Sequence, residues 1–188
     1  MNTKTKKLST VSMVLCGMFA ALVAIGAFIQ IPVPYMDYFT LQFFFVLLAG
    51  LILGADKGAI SVGCYVLLGI VGVPIFAAGG GIGYIFRPSF GYLVGFIVSA
   101  YVTGKVCEKL KASYKNYLLA CLAGFVVTYA IGIVYKFIIL NFYAHTPATL
   151  GVIFLSCFPL DMPGDFVLCL LAAGVGLRMR KSGFYLSE

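Results

Sequence analysis

The sequence predicts an all-helical membrane protein that crosses the bilayer several times, as one bundle of six transmembrane helices spanning residues 1–188. Of the 188 residues, 62% are hydrophobic and only 10% are charged, and the mean hydropathy is +1.08. Soluble domains carry about 25% charged residues, and a soluble globule of this size could not bury so much apolar surface. The composition therefore excludes a soluble domain and a disordered chain.

Six apolar segments follow one another along the chain. About 20 helical residues cross a bilayer core, so six crossings leave no room for an ATPase or a catalytic domain. Pro32 and Pro34 are expected to end the first helix, and Asp56 and Lys57 to end the second. The segment 150–158 is too short to cross and is predicted either as an outer-surface helix or as an extension of the last span. The predicted spans are residues 11–31, 39–55, 58–71, 89–104, 117–140 and 160–177.

The basic residues predict the orientation of the bundle. The net charge of +7 would suggest nucleic acid in a soluble protein, but here the charges form short clusters between apolar segments, as in proteins that contact lipid. With the N-terminus inside, all of the lysines and arginines except Arg87 and Lys136 fall on the inner side, as the positive-inside rule expects. We therefore predict a cell-membrane protein with both termini in the cytoplasm. The inner set is Lys4, Lys6, Lys7, Lys57, Lys105, Lys109, Lys111, Lys115, Arg178, Arg180 and Lys181.

Polar side chains within apolar segments indicate a functional site, because they are costly in a membrane. Asp165, Lys136 and Gln42 lie near predicted outer helix ends, and Arg87 lies in the loop between spans three and four. Each has a simpler explanation. Asp165 could cap its helix, Arg87 could form a salt bridge, and Lys136 could extend toward the membrane surface.

The loop over residues 72–88 is the most unusual segment of the sequence. Three consecutive glycines, Gly79, Gly80 and Gly81, could let the backbone approach a ligand closely. Phe76, Tyr84 and Phe86 could supply aromatic walls, although a simple flexible loop is the alternative. The glycines match no nucleotide-binding pattern. Together with the four polar residues, they predict an outward-facing, aromatic-lined pocket for a small, largely apolar carboxylate.

Enzyme and channel functions are disfavoured. His145 is the only histidine, and no catalytic motif is present. No span carries a regular polar face, which argues against a channel. The six cysteines are scattered without a CxxC, so we expect no metal site, and no cofactor is predicted.

Small residues recur four apart on several predicted helices. This spacing lets helix backbones approach closely and serves either internal packing or docking to another membrane protein. The pairs and triplet are Gly17 and Ala21, Ala20 and Ala24, Gly50 and Gly54, Gly91 and Gly95, and Gly124, Thr128 and Gly132.

The sequence resembles the BioY family, the biotin-binding S components of energy-coupling factor (ECF) transporters. The resemblance implies a six-helix S-component fold and an outward biotin pocket roofed by loops. It implies a transmembrane coupling subunit and two ATPase subunits as partners, with ATP used by those partners alone. It also assigns Ala20 and Ala24 to docking on the coupling subunit. The matching segments are 31–34 (IPVP), 39–42 (FTLQ), 47–54 (LLAGLILG), 58–62 (GAISV), 65–77 (YVLLGIVGVPIFA), 91–96 (GYLVGF) and 163–165 (PGD).

Two departures from the family pattern bear on the ligand. Leu168 stands where the family usually has a lysine suited to the biotin carboxylate, and Arg87 appears in a loop that usually reads Gly-Pro-Thr-Gly-Gly-Tyr. We hypothesise that Arg87 binds the carboxylate, with Lys136 as the second candidate, while Asp165 accepts hydrogen bonds from the ureido N–H groups. The alternatives are an S component for a related ring carboxylate, such as lipoate or a biotin precursor, and a structural membrane subunit without a ligand.

Overall fold

The computed structural model describes residues 9–32, 38–144, 146, 148–157 and 161–183, with Pro32 and Tyr38 described by their backbone alone. Lys4, Lys6, Lys7, Pro34 and His145, which entered the sequence predictions, lie outside the described residues. The elements in chain order are α1 (Thr10–Phe28), β1 (Gln30–Pro32), β2 (Tyr38–Thr40), α2 (Gln42–Leu53), α3 (Ala55–Val71), a 3-10 helix (Ile82–Phe86), α4 (Phe90–Lys109), α5 (Tyr114–Ile138), a π-helical turn (Ile139–Tyr143), α6 (Leu150–Cys157) and α7 (Asp161–Lys181).

The predicted count of six helices is not confirmed, because the described part of the chain contains seven α-helices. The additional one is α6, which the sequence left either as a surface helix or as an extension of the last span. It is a separate helix, since α7 begins at Asp161. Its eight residues rise only about 12 Å, too little to cross a bilayer.

Several helices are suited to a membrane. Among the described residues, four helical segments are long and apolar enough to cross: Thr10–Phe28, Phe90–Lys109, Tyr114–Tyr143 and Asp161–Lys181. Helix α2 has 12 residues and rises about 18 Å, less than the roughly 30 Å of a bilayer core. The chain is a multi-pass membrane protein, and six crossings remain a prediction.

A small hairpin occupies the junction where the first two spans were predicted to meet. β1 and β2 pair antiparallel, with Gln30 opposite Thr40 and Ile31 opposite Phe39. Helix α1 ends at Phe28 and α2 begins at Gln42, so the predicted helical ends at residues 29–31 and 39–41 are wrong. A proline disfavours helical dihedral angles in the residue before it. Ile31, which precedes Pro32, is therefore suited to an extended strand. The hairpin brings Phe39 and Thr40 over one end of the bundle.

Helix α2 forms the centre of the bundle. Ten of its twelve residues are buried, and it packs against α1, α3, α4 and α7. A helix that is apolar all round is suited to such a central position. The surrounding helices instead carry exposed apolar side chains, such as Val14, Ile25, Val126 and Val134, which can face lipid.

Close helix packing confirms the internal role predicted for most small residues. A Cβ atom added at Gly95 would lie 3.0 Å from the Thr128 carbonyl oxygen. One added at Gly124 would meet the hydroxyls of Ser99 and Thr103, and one added at Gly50 would meet the backbone of α4. These contacts fix the α2–α4–α5 arrangement that supports the site.

The docking pair predicted on α1 does not face outward. Ala20 is 8% exposed and belongs to the hydrophobic core, and Ala24 is half-buried against it. Gly17 and Ala21 are the exposed small residues of this helix. Each directly follows a buried residue, Cys16 or Ala20. A docking surface must be exposed, so the assignment of Ala20 to it is not supported by the structure.

Candidate functional site

A cavity lies at the end of the bundle that holds the hairpin, the glycine-rich loop and the N-terminus of α7. It is open at its mouth, and the space within it amounts to about 790 Å³ when the solvent at the mouth is included. Its walls are mainly aromatic, with a few acidic, basic and amide groups. The lining residues are Phe39, Thr40, Gln42, Phe43, Ala77, Ala78, Tyr84, Ser89, Tyr92, Leu93, Phe96, Tyr129, Lys136, Asp161 and Asp165.

Asp165 lines the cavity near the start of α7, as the sequence predicted. The Tyr129 hydroxyl donates a hydrogen bond of 2.8 Å to Asp165 Oδ2, which fixes the carboxylate against α5. A Cβ atom at the preceding Gly164 would overlap the Phe39 ring, so this glycine lets the hairpin pack directly on α7. The carboxylate retains acceptor capacity for a ligand, since each carboxylate oxygen can accept two hydrogen bonds.

Asp161 supplies a second carboxylate that sequence reasoning missed. It lies four residues before Asp165 on α7 and lines the same cavity. Residues four apart share one face of a helix, so this spacing was the available signal. Sequence reasoning also missed the aromatic Tyr92 and Tyr129, whose hydroxyl groups within apolar helices were the corresponding clue.

Lys136 is the lysine among the lining residues. It follows Tyr129 by seven residues on α5, so it lies on the same face about 10 Å further along the helix axis. Within the described part of the chain, no carboxylate lies within 4 Å of its ammonium nitrogen. An acid and an amine therefore line one cavity, and the amine is available to an anionic ligand group.

Arg87, the cation favoured by the sequence, does not line the cavity. Its side chain is exposed, and its guanidinium carbon lies 5.2 Å from the centre of the Tyr84 ring. This cation–π contact holds the arginine on the loop surface, while Tyr84 itself faces the cavity. The structure thus brings Lys136 rather than Arg87 together with Asp165.

The aromatic walls come from five different parts of the chain. The rings of Phe43 and Phe96 stack at 5.9 Å, and those of Tyr92 and Tyr129 meet edge to face at 5.8 Å. Phe76, predicted as a wall residue, is 1% exposed and lies behind Tyr84, with 4.6 Å between the ring centres. Phe76 therefore supports the wall from behind and is absent from the lining.

The glycines of the loop shape its backbone and do not line the cavity. Gly79 and Gly81 have positive φ angles of 109° and 100°, a region that side chains disfavour. A Cβ atom at Gly80 would collide with the carbonyl of Val73. Gly79 and Gly80 were predicted to approach a ligand closely, but they are not among the lining residues. Ala77 and Ala78 line the cavity at this part of the loop.

Gly69 of α3 should be required for the position of this loop. A Cβ atom there would overlap the ring of Phe76, and overpacking of this kind costs about 1–3 kcal/mol. We expect Gly69→Ala to lower the melting temperature of the purified protein in detergent. Gly63→Ala is the matched control, because it lies on the same helix and faces open space. Equal melting temperatures for the two variants would contradict this packing.

Gln42 lines the cavity, as predicted, and belongs to a chain of hydrogen bonds. Its Nε2 donates to the Tyr65 hydroxyl over 2.6 Å, and that hydroxyl donates to the Ile75 carbonyl over 3.1 Å. From the other side, the Thr40 hydroxyl donates to Gln42 Oε1 over 3.1 Å. The chain joins the hairpin, α2, α3 and the loop.

The fold and site define a class of protein: a multi-pass helical membrane protein with an aromatic-lined cavity for a small organic ligand. Among the described residues, no three His, Cys, Asp or Glu side chains meet in a cluster able to hold a metal ion. The cavity offers both hydrogen-bond acceptors and an ammonium group. Such an arrangement is suited to a molecule that carries both donor groups and an anionic group.

Comparison with known proteins identifies the family. The model of the BioY family matches residues 1–183. A probable biotin transporter BioY of Lysinibacillus sphaericus is 39% identical over 94% of this chain and 90% of its own length. A biotin transporter BioY of Thermotoga maritima is 39% identical over 88% of this chain and 93% of its own. The chain belongs to the BioY family, which confirms the predicted resemblance and a transport function rather than an enzymatic one.

A solved structure shows the same fold. The crystal structure of the S-component for biotin from an ECF-type ABC transporter matches with a TM-score of 0.81. The match covers 99% of this chain and 100% of that one at 23% identity. The arrangement of helices described above is thus that of an S-component.

Proposed function

We propose that this chain is the biotin-binding S component of an ECF-type transporter and that the cavity binds biotin. The observation that carries the proposal is the presence of Asp165 and Lys136 in one aromatic-lined cavity. Biotin has a ureido ring at one end and a carboxylate at the other, joined by a short aliphatic chain. The names of the relatives support this ligand.

The ureido ring is assigned to the Asp165 end of the cavity. A carboxylate accepts hydrogen bonds, and the ureido group offers N–H donors. The Tyr129 hydroxyl occupies one acceptor position of Asp165 Oδ2 and so orients the carboxylate before the ligand arrives. Hydrogen bonds to a charged acceptor are stronger than those between neutral groups.

The biotin carboxylate is assigned to Lys136. This residue lines the cavity, whereas Arg87 is exposed, contacts the Tyr84 ring and is not among the lining residues. Leu168, which stands at the position of the family lysine, is 6% exposed in the hydrophobic core. Lys136 therefore takes the place of the absent cation. The aromatic rings of the walls, including Phe43 and Phe96, enclose the rings and chain of the ligand.

Ligand competition tests this function against its alternatives. Lipoate shares a ring and a carboxylate with biotin but has no ureido group. Bound lipoate would therefore leave the Asp165 carboxylate without N–H donors. Because an unpaired buried polar group is costly, we expect lipoate to compete at least about 100-fold less well than biotin. The measurement is displacement of labelled biotin from purified protein. Equal competition would favour a lipoate carrier, and absence of any binding would favour a structural subunit.

The transport cycle needs partners. The chain is proposed to work with a transmembrane coupling subunit and two ATPase subunits, which use ATP, and to carry no cofactor of its own. Biotin uptake should then require the complete set of subunits in cells. Accumulation that persists when the ATPase subunits are deleted would contradict this assignment.

The cavity is proposed to face the cell exterior, with both termini in the cytoplasm. The distribution of lysine and arginine supports this orientation. Ile82 is 70% exposed in the loop at the cavity end of the bundle. An Ile82→Cys variant, compared with the parent protein, should gain reactivity toward a membrane-impermeant thiol reagent added outside intact cells. Gain of reactivity only after permeabilisation would reverse the orientation.

A further inference from the structure

Tyr65 lies directly behind the cavity wall and connects two parts of it. Its side chain is fully buried in α3, at 0% exposure, and is not among the lining residues. Its hydroxyl joins the Gln42 amide to the Ile75 carbonyl. We propose that Tyr65 is a positioning residue that fixes which edge of the Gln42 amide faces the ligand. This inference rests on the proposed function, because it takes biotin as the ligand of the cavity that Gln42 lines.

The direction of each hydrogen bond follows from the Ile75 carbonyl. A carbonyl oxygen only accepts, so the single hydrogen of the Tyr65 hydroxyl is committed to Ile75. Toward Gln42 the hydroxyl oxygen can therefore only accept, and the amide nitrogen must face Tyr65. The amide oxygen then faces Thr40, whose hydroxyl donates to it. The backbone of the loop thus sets the orientation of a side chain in the cavity wall.

The fixed orientation determines what Gln42 can offer to a ligand. A primary amide has two N–H donors and two acceptor positions on its oxygen. One donor is used on Tyr65 and one acceptor position on Thr40. One N–H and one acceptor position remain. They suit a ligand group that offers both an acceptor and a donor, as the C=O and N–H groups of a cyclic urea or lactam do.

The ring of Tyr65 has a separate role that a conservative variant preserves. It packs edge to face on Phe76 with 5.5 Å between the ring centres, and Phe76 supports Tyr84. Tyr65→Phe keeps this ring contact and removes only the hydroxyl. The variant therefore separates the orientation of Gln42 from the packing of the loop.

A double-mutant cycle with Gln42→Ala tests the proposal by calorimetric titration of purified protein with biotin. We expect Tyr65→Phe alone to weaken biotin binding about tenfold, because the Gln42 amide loses its fixed orientation. In the Gln42→Ala background, Tyr65→Phe should change affinity less than about twofold, since the residue through which it acts is absent. Tyr117→Phe is the control. It removes the hydroxyl of another buried tyrosine, bonded to Arg180 at the opposite end of the bundle, and should leave biotin affinity unchanged.

Three outcomes would overturn the assignment, and they differ from one another. Equal effects of Tyr65→Phe with and without Gln42 would show that the hydroxyl acts through the loop and not through the amide, while the proposed function would stand. Wild-type protein that does not bind biotin would contradict the proposed function and this inference with it. A melting temperature lowered equally in Tyr65→Phe and Tyr117→Phe, with affinity unchanged in both, would reduce Tyr65 to a structural residue.

Discussion

Replacement of Asp165 by asparagine should weaken biotin binding at least about 100-fold. The Tyr129 hydroxyl needs an acceptor, so the single amide oxygen of the introduced asparagine would turn toward it. The amide NH₂ would then face the ureido N–H groups, placing donors against donors. Loss of hydrogen bonds to a charged group costs roughly 1.5–3 kcal/mol each, and two of them correspond to about two to four orders of magnitude in affinity. Calorimetric titration of the purified variant measures this loss.

Asp56→Asn provides the matched control for this substitution. Asp56 is an exposed aspartate in the first turn of α3, at the end of the bundle away from the cavity. Its replacement removes the same charge without touching the site, so biotin affinity should remain within about twofold of wild type. An equal loss in both variants would show that net charge, and not the Asp165 contact, controls binding.

Replacement of Lys136 by glutamine should weaken biotin binding about 10- to 100-fold, whereas Arg87→Gln should change it less than about twofold. The reason is that Lys136 lines the cavity and Arg87 does not. An ammonium–carboxylate hydrogen bond in a partly buried site accounts for a loss of this size. Titration of both variants under identical conditions gives the comparison.

An uncharged analogue makes the same test specific to the carboxylate. Biotin amide has no negative charge for Lys136 to bind, so wild type and Lys136→Gln should bind it with equal affinity. A large effect of Lys136→Gln on the amide as well would indicate a structural role for the lysine. Loss of biotin binding in Arg87→Gln with Lys136→Gln unaffected would restore the arginine as the carboxylate ligand.

Polar residues in apolar surroundings could be found from the sequence, because their cost in a membrane is independent of the details of the fold. Asp165, Gln42 and Lys136 were recognised in this way, and all three line the cavity. Arg87 was recognised on the same grounds but lies in a loop, where the direction of a side chain depends on distant packing. Here the ring of Phe76 packs against Gly69 and Tyr84, and nothing in the local sequence specifies that contact.

The positions of the helices could be predicted from the sequence, but some of their ends and the hairpin could not. Apolar segments predicted the helices, but α4 continues to Lys109 through charged residues, because charge does not end a helix that projects beyond the apolar layer. Glu108 on this extension accepts a hydrogen bond of 2.8 Å from the Ala55 N–H at the start of α3. The hairpin was missed because its two strands have only three residues each, too few for a periodic pattern. It contributes Phe39 and Thr40 to the cavity, so this part of the site required the structure.

Native mass spectrometry of the protein released from detergent micelles measures the central claim most directly. The account predicts that wild-type protein carries one biotin per chain when biotin is supplied, and that Asp165→Asn does not. Asp56→Asn should retain the bound ligand. Absence of the biotin adduct from wild type, or an undiminished adduct in Asp165→Asn, would contradict the assignment of this cavity as the biotin site.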